Sequence, residues 1–375
     1  MAHEMYVLPR YADVRTALAD AETFCSGKGV GLSPLFNEKA AGRNLLMTDG
    51  ALHLKLRKLF AQDLTPRRLR RVQEQVDEQA LRVADDVVRK RDIDAVADLA
   101  RALPLTIVPD LIGWPEDGRE HLLTWAGATF DLLGPMNARA QCAAPQAQEM
   151  FAFAAQTAEE GRMLPDSVGA AVVEAARRGE IEPDRASALL VGYLAPSLDT
   201  TISALGAAFW LFSQHPDQWQ ALRADPSLVP NAFNEVVRLS SPIRTFSRVT
   251  TRDVIIDGIS VPEGARLMLH YAAANRDETQ FPDPDAFDVR RPNAGEHLGF
   301  GFGPHGCAGQ GLARMEAHAL LEALISRVER WELHEATPNL NNIISGWASL
   351  AMTLHPAEGA AMQLVGTDTA AEGER

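Results

Sequence analysis

With 375 residues, 46% of them hydrophobic, the chain can bury a large core, and its 50 acidic against 36 basic side chains give a net charge of −14 that argues against nucleic acid as a partner. Cys25, Cys142 and Cys307 are too few and too scattered for a disulfide framework and fit a reducing cytoplasm. No cationic N-terminus leads into an apolar run, and the longest apolar stretch, Ile202 to Phe212, falls short of the ~20 residues a bilayer needs, so neither a signal peptide nor a membrane span is expected.

In chain order, Met5 to Leu8 reads as a short strand and Tyr11 to Ala19 as a helix. Phe24 to Asn44 holds four glycines and little periodicity, so it reads as a long loop with room for one helical turn. A helix over Ala51 to Phe60 precedes a long amphipathic one, Pro66 to Lys90, with Leu69, Val72, Val76, Ala80 and Val83 on one face. Helices follow near Val96–Ile112 and Asp117–Leu133, and the alanine-rich Asn137 to Met163 reads as two helices with a loop. Pro183 and Asp184 open a helix that runs to about Ser213, with proline in the first turn and an acid near its positive end. Pro216–Ala224 and Val229–Leu239 are further helices. The strongest β signal is a hairpin, Val254–Ile256 and Ile259–Val261, turning at Asp257-Gly258. Strands are expected at Ala265–His270, Trp331–Leu333 and Leu350–Leu354, and the small polar residues beyond Pro356 read as a frayed tail. With no repeat and no linker, the pattern is a mostly helical single domain with a small β portion.

The chemistry concentrates in Phe300 to Arg314, where Cys307 sits in a glycine-rich loop that runs into a helix. Glycines allow tight backbone turns and close approach to a flat ligand. A cysteine at a helix N-terminus meets free N–H groups and the positive end of the dipole, which favour thiolate. A single thiolate cannot build a zinc cage, but it suits a haem iron whose other ligands come from the macrocycle.

This stretch resembles the haem loop of the cytochrome P450 superfamily, F-G-x-G-x-H/R-x-C-x-G-x-x-L-A-R, with every fixed position filled. The resemblance implies haem b with Cys307 as axial ligand, His305 on a propionate, Phe300 packed beneath the ring, and Gly301, Gly309 and Ala313 lining the loop and the helix after it. It implies the P450 fold over 1–356, mainly α with small β-sheets in one triangular-prism domain, followed by a flexible tail over 357–375. The family usually carries a first helix and an edge strand before the position of Tyr6, and this chain is expected to lack them.

Further signatures follow from the same resemblance. Ala195-Pro196-Ser197-Leu198-Asp199-Thr200-Thr201 is similar to the family's A-G-x-D/E-T-T, which lies over the distal face of the haem and assigns Asp199 and Thr200 to proton delivery. Cleaving O–O consumes protons in a site otherwise kept dry. Pro196-Ser197 departs from the usual Ala-Gly. Proline removes the N–H that the Gly192 carbonyl would receive, so a kink that opens an oxygen groove is expected there. Glu235 and Arg238 form the E-x-x-R pair, a buried acid and base that clamp the segment before the cysteine loop, with Arg290 or Arg291, for preference Arg291, as third member. His53 and Arg57, spaced i, i+4, match propionate ligands together with Arg248 and His305.

A narrower likeness, carried by Asp20 to Ser33, Ile93 to Leu99, Gly118 to Leu123 and Gly134-Pro135, is to bacterial P450s that demethylate or hydroxylate para-substituted benzoic acids. It implies Arg43 as a carboxylate ligand, with Asn44 beside it. The distal-helix positions that would assist fall on Val191 and Gly192, whose side chains cannot bond a carboxylate, so a neutral phenol or aryl ether fits better. Substrate contacts are expected from Phe130, Leu133, Ala195, Pro196, Ile243, Phe246 and Trp347. The implied enzyme is a cytoplasmic, monomeric monooxygenase fed from NAD(P)H by ferredoxin reductase and ferredoxin, with no membrane or nucleic acid involved. The basic cluster of Lys55, Arg57, Lys58, Arg67, Arg68, Arg70 and Arg71 is its candidate ferredoxin dock. A tailoring oxidase acting on a larger natural-product scaffold and a non-oxygenating haem-thiolate protein are the alternatives.

Overall fold

The computed structural model describes residues 5–62 and 64–358. The chain starts with β1 (Tyr6–Leu8), α1 (Tyr11–Ala19), β2 (Phe24–Cys25), α2 (Pro34–Ala40), α3 (Gly50–Ala61) and α4 (Pro66–Lys90). β3 (Asp92–Asp94) leads through a π-helical turn at Ala95–Ala100 into α5 (Ala102–Ile112), α6 (Leu122–Leu133), α7 (Ala138–Glu160) and α8 (Val168–Arg177). Then come α9 (Pro183–Gln214), α10 (Pro216–Ala224), α11 (Val229–Ser240), β4 (Thr245–Thr250), β5 (Val254–Ile256), β6 (Ile259–Val261), β7 (Arg266–His270) and α12 (Tyr271–Ala274). A long irregular segment carries the chain to α13 (Gln310–Ile325), and β8 (Val328–Pro338) and β9 (Trp347–Pro356) close the described fold.

α9 is the spine. Its 32 residues span about 48 Å at the helical rise of 1.5 Å per residue. It is apolar on every side because helices α5, α6, α7, α8 and α11 and the β8–β9 hairpin pack around it. By length and composition α9 could cross a bilayer, but 67% of its most apolar window is buried inside the protein, which makes it a core helix. α4 shows the opposite pattern: Leu69, Val76, Ala80, Val83 and Val87 are buried on one stripe and arginines face outward on the other.

The β-structure forms three small sheets. One has the order β1-β7-β4-β2, with β1 parallel to β7 and the remaining pairs antiparallel. β3-β9-β8 is antiparallel, and β5-β6 is a hairpin whose turn residues Asp257 and Gly258 both have positive φ.

Several elements differ from the sequence reading. The loop over 24–44 contains β2 and α2, and α2 is started by Ser33, whose Oγ accepts from Phe36 N. Residues 138–160 form one helix, not two, because packing on α6 and α9 carries it across Pro145. α8, capped by Ser167, had no clear signal. β4 was not foreseen, and β8 and β9 extend well beyond the cores expected for them. α9 stays one continuous helix across Pro196, with α5, α6, α7, α8 and α11 packed along it. The tail does not start at 357: Ala357 is buried and donates to Arg327 O at 2.8 Å, while 359–375 lie outside the described residues.

Candidate active site

The loop after α12 brings Cys307 to the wall of a deep cavity that faces α9. Cys307 N donates to Phe300 O at 2.7 Å, which closes the loop on itself. Gly303 has φ +67°, and a Cβ there would stand 2.6 Å from Leu18 O, so glycine is required for both reasons. Gly309 caps α13 and leaves open space where a side chain would stand. Burial pushes the Cys307 thiol up, opposed by the Gly309 N–H, then by the Arg57 and Arg314 charges. The Arg314 guanidinium covers the Phe300 ring at 4.6 Å.

The cavity lining includes cations and imidazoles. His53 and Arg57 come from α3, Arg248 from β4, and His305 from the cysteine loop. The His53 and His305 ring centroids lie 4.2 Å apart. Burial, then repulsion from His305 and Arg57, lowers the His53 pKa to about 4, and its buried Nε2 has no partner. Arg248 is only 2% exposed and donates to Ser247 O at 2.8 Å; among the described residues no carboxylate pairs with it or with Arg57. Buried guanidinium groups without a counter-ion are costly unless an anion binds there. Asp49, which the sequence reading missed, backs His305 at 3.2 Å. Burial tends to raise its carboxyl, but the His305 contact and the Gly27 and Ser26 N–H groups outweigh this and hold it below the usual range. The spacing Asp49, His53, Arg57 (i, i+4, i+8) was a signal available in the sequence.

These residues fit haem b. The lining holds a single thiol, an imidazole nitrogen without a partner and cations without a carboxylate, which would hold the iron and two propionates, together with many apolar side chains for the ring. Gly301, Gly309 and Ala313 line the same cavity.

On α9, Thr200 faces this cavity and its Oγ1 donates to Pro196 O at 2.6 Å. Asp199 points away from it. It lines a second cavity on the other side of α9 with Arg101, Asp131 and Arg139. Burial lifts the Asp199 carboxyl to about 7; Arg101 opposes the rise and Asp131 adds to it. Arg101 and Asp131 carried no signal of their own in the sequence, because they meet Asp199 only through packing of distant helices.

Phe130, Leu133, Ala195, Pro196, Ile243 and Phe246 line the first cavity. Two expected contacts do not. Arg43 is exposed and outside the cavity, because the turn after α2 directs it outward, and only its neighbour Asn44 lines the wall, with Oδ1 bound to Met47 N. Trp347 belongs to the second cavity and packs on Trp210 at 5.3 Å, drawn there by the β8–β9 pairing.

Behind the cysteine loop, Arg238 binds Glu235 through Nε at 2.7 Å and Nη2 at 2.8 Å, and both side chains are fully buried. Arg291 adds a bond to Glu235 Oε1 at 2.9 Å. The two guanidinium groups also donate to the carbonyls of Asn275, Pro284, Pro282, Asp283 and Ala286, tying α11 to the segment before the loop. Arg290 is exposed. This trio satisfies the geometric condition under which a buried ionic network is tolerated.

Comparison with known proteins gives consistent results. The cytochrome P450 family matches residues 170–356. Cytochrome P450 CYP199A2 of Rhodopseudomonas palustris is 38% identical over 359 residues, covering 94% of this chain and 86% of that protein. The 6-deoxyerythronolide B hydroxylase of Saccharopolyspora erythraea is 32% identical over 76% of this chain and 70% of its own length. Among solved structures, cytochrome P450 CREJ in complex with (4-ethylphenyl) dihydrogen phosphate superposes with a TM-score of 0.83 at 26% identity, covering 94% of this chain and 92% of that one.

Proposed function

This chain belongs to the cytochrome P450 family, and we propose that within it the protein oxidises a small, neutral aromatic compound, by hydroxylation or by O-demethylation, with electrons from a ferredoxin. The family's members are monooxygenases that bind haem b through a cysteine thiolate and take electrons from redox partners. Thiolate-held haem supplies reductive activation of O₂, placing one oxygen atom in a C–H bond and releasing the other as water.

In this reading Cys307 is the thiolate, and His53, Arg57, Arg248 and His305 hold the propionates. Asp199 takes protons up on the side of the second cavity and Thr200 presents them on the haem side. A carboxyl with a pKa near 7 can both gain and lose a proton at neutral pH, as a relay group must. Glu235, Arg238 and Arg291 keep the cysteine loop in register.

The observation that carries the substrate assignment is the make-up of the cavity lining. Its charged and imidazole lining residues are His53, Arg57, Arg248 and His305, all assigned to the propionates, while Phe130, Leu133, Val191, Ala195, Ile243 and Phe246 are apolar. A benzoate would have no counter-ion there, because Arg43 lies outside. A solved structure of this fold holds (4-ethylphenyl) dihydrogen phosphate, whose single aromatic ring suits the architecture while its phosphate does not bear on a neutral substrate. The exposed basic residues Lys55, Lys58, Arg67, Arg70 and Arg71 on α3 and α4 suit an acidic ferredoxin, and the three free cysteines suit a reducing cytoplasm.

The test is reconstitution with ferredoxin, reductase and NADH on neutral aryl methyl ethers. The expected result is a low-to-high-spin shift on binding and NADH consumption matched by formaldehyde. No spin shift with any small aromatic, or NADH consumption without product, would overturn the assignment.

A further inference from the structure

Pro196 and Ser197 distinguish this distal wall, and both line the haem-side cavity. In an α-helix the carbonyl of residue 192 receives the N–H of residue 196. Proline has none, and its ring pushes that carbonyl off the helix axis. Gly192 itself lines the cavity, has no side chain, and would have nothing nearer than Phe60 Cε2 at 4.0 Å if a Cβ were added. That carbonyl therefore lacks its intrahelical donor, at a residue that lines the cavity. Thr200 does not relieve it, because its hydroxyl donates to Pro196 O one turn later. On the next turn the Ser197 hydroxyl has no hydrogen-bond partner among the described residues. This stretch of the wall thus presents one backbone acceptor and the free Ser197 hydroxyl, and one turn on Thr201 adds a second hydroxyl without a partner among the described residues.

We propose that Gly192 and Ser197 form a specificity-determining polar strip that selects substrates carrying a neutral hydroxyl, a phenol above all. The phenolic O–H donates to the Gly192 carbonyl, and the Ser197 Oγ is a second polar contact along the same wall. A carboxylate is rejected because the strip's fixed group is an acceptor and repels it. A fully methylated ether is disfavoured because it leaves the carbonyl desolvated and unpaired. The inference rests on reading this cavity as a P450 distal pocket.

Three probes of similar shape test it by spin-state titration of the haem-loaded protein: 4-methoxyphenol, 1,4-dimethoxybenzene and 4-methoxybenzoate. One net hydrogen bond corresponds to about tenfold in Kd, so 4-methoxyphenol should bind about tenfold more tightly than the dimethyl ether, and the benzoate weakest. Pro196→Ala returns an N–H to the Gly192 carbonyl and should cut the phenol preference to about twofold; Ser197→Ala should reduce it in part. Equal binding of phenol and diether by the wild type, tightest binding of the benzoate, or an unchanged ratio in Pro196→Ala would overturn the proposal. The wild-type ratio decides even if Pro196→Ala fails to fold. The reduced carbonyl spectrum and reductase-driven turnover are read on the same samples, so a failure of the monooxygenase assignment is distinguishable from a failure of the strip.

Discussion

Glu316 on α13 offers a test of the electrostatics that does not depend on substrate. It is fully buried, and neither carboxyl oxygen has a hydrogen-bond partner. Burial alone raises its pKa to about 8. An ordinary glutamate in the unfolded chain titrates near 4.5. The folded state therefore binds the proton more tightly, so the stability this group allows is complete below about pH 4.5 and is lost as pH rises toward 8. At 1.36 kcal/mol per unit, the linkage loss is about 2 kcal/mol at pH 6 and about 5 kcal/mol at pH 8.5. Glu316→Gln keeps the shape and removes the titration, so the variant should escape the difference of about 3 kcal/mol between those pH values. For a chain of 375 residues this corresponds to about 3–4 °C in unfolding midpoint. Thermal scans of holo wild type and variant, at equal haem loading and scan rate, should show the wild-type midpoint falling 3–4 °C further between pH 6 and 8.5. Parallel lines for the two proteins would refute the argument that Glu316 is a desolvated, unpaired acid.

Three other predictions follow from the site. Asp199→Asn should lower product formed per NADH and flatten the pH dependence of turnover, which in the wild type should fall above about pH 7 as the acid form is lost; a variant with the wild-type pH profile would exclude Asp199 from proton supply. Arg238→Ala strips the bidentate partner from a fully buried Glu235 and should cost about 3–5 kcal/mol, seen as loss of folded, haem-loaded protein; a variant with an unchanged midpoint would show that Arg291 and backbone donors suffice. Ferredoxin-driven reduction should slow as ionic strength rises, and more shallowly in Arg67→Gln/Arg71→Gln; a salt-independent rate in the wild type would remove α4 from the docking surface.

The features legible in the sequence are those whose chemistry needs contiguous residues. The cysteine loop must be glycine-rich because backbone at Gly303 passes against Leu18, and that requirement is written in one short stretch. His53 and Arg57 share a helix face by spacing alone, as do Glu235 and Arg238. The hairpin at Asp257-Gly258 follows from two residues that tolerate positive φ. Helices with one clean apolar stripe, such as α4, or with proline and an acid in the first turn, such as α9, were also readable.

What the tertiary structure alone decided is direction and partnership. α9 is apolar on all sides, so its own pattern cannot say which cavity Asp199 or Thr200 enters; the packing of α6, α7 and the β8–β9 hairpin decides that. The same packing carried α7 across Pro145 and α9 across Pro196, where local propensity favoured a break. Asp199 meets Arg101, His305 meets Asp49, and Arg43 and Trp347 leave the pocket for reasons that lie in remote chain segments. Periodicity and spacing act over a few residues, whereas burial and charge pairing are set by whatever the fold brings alongside.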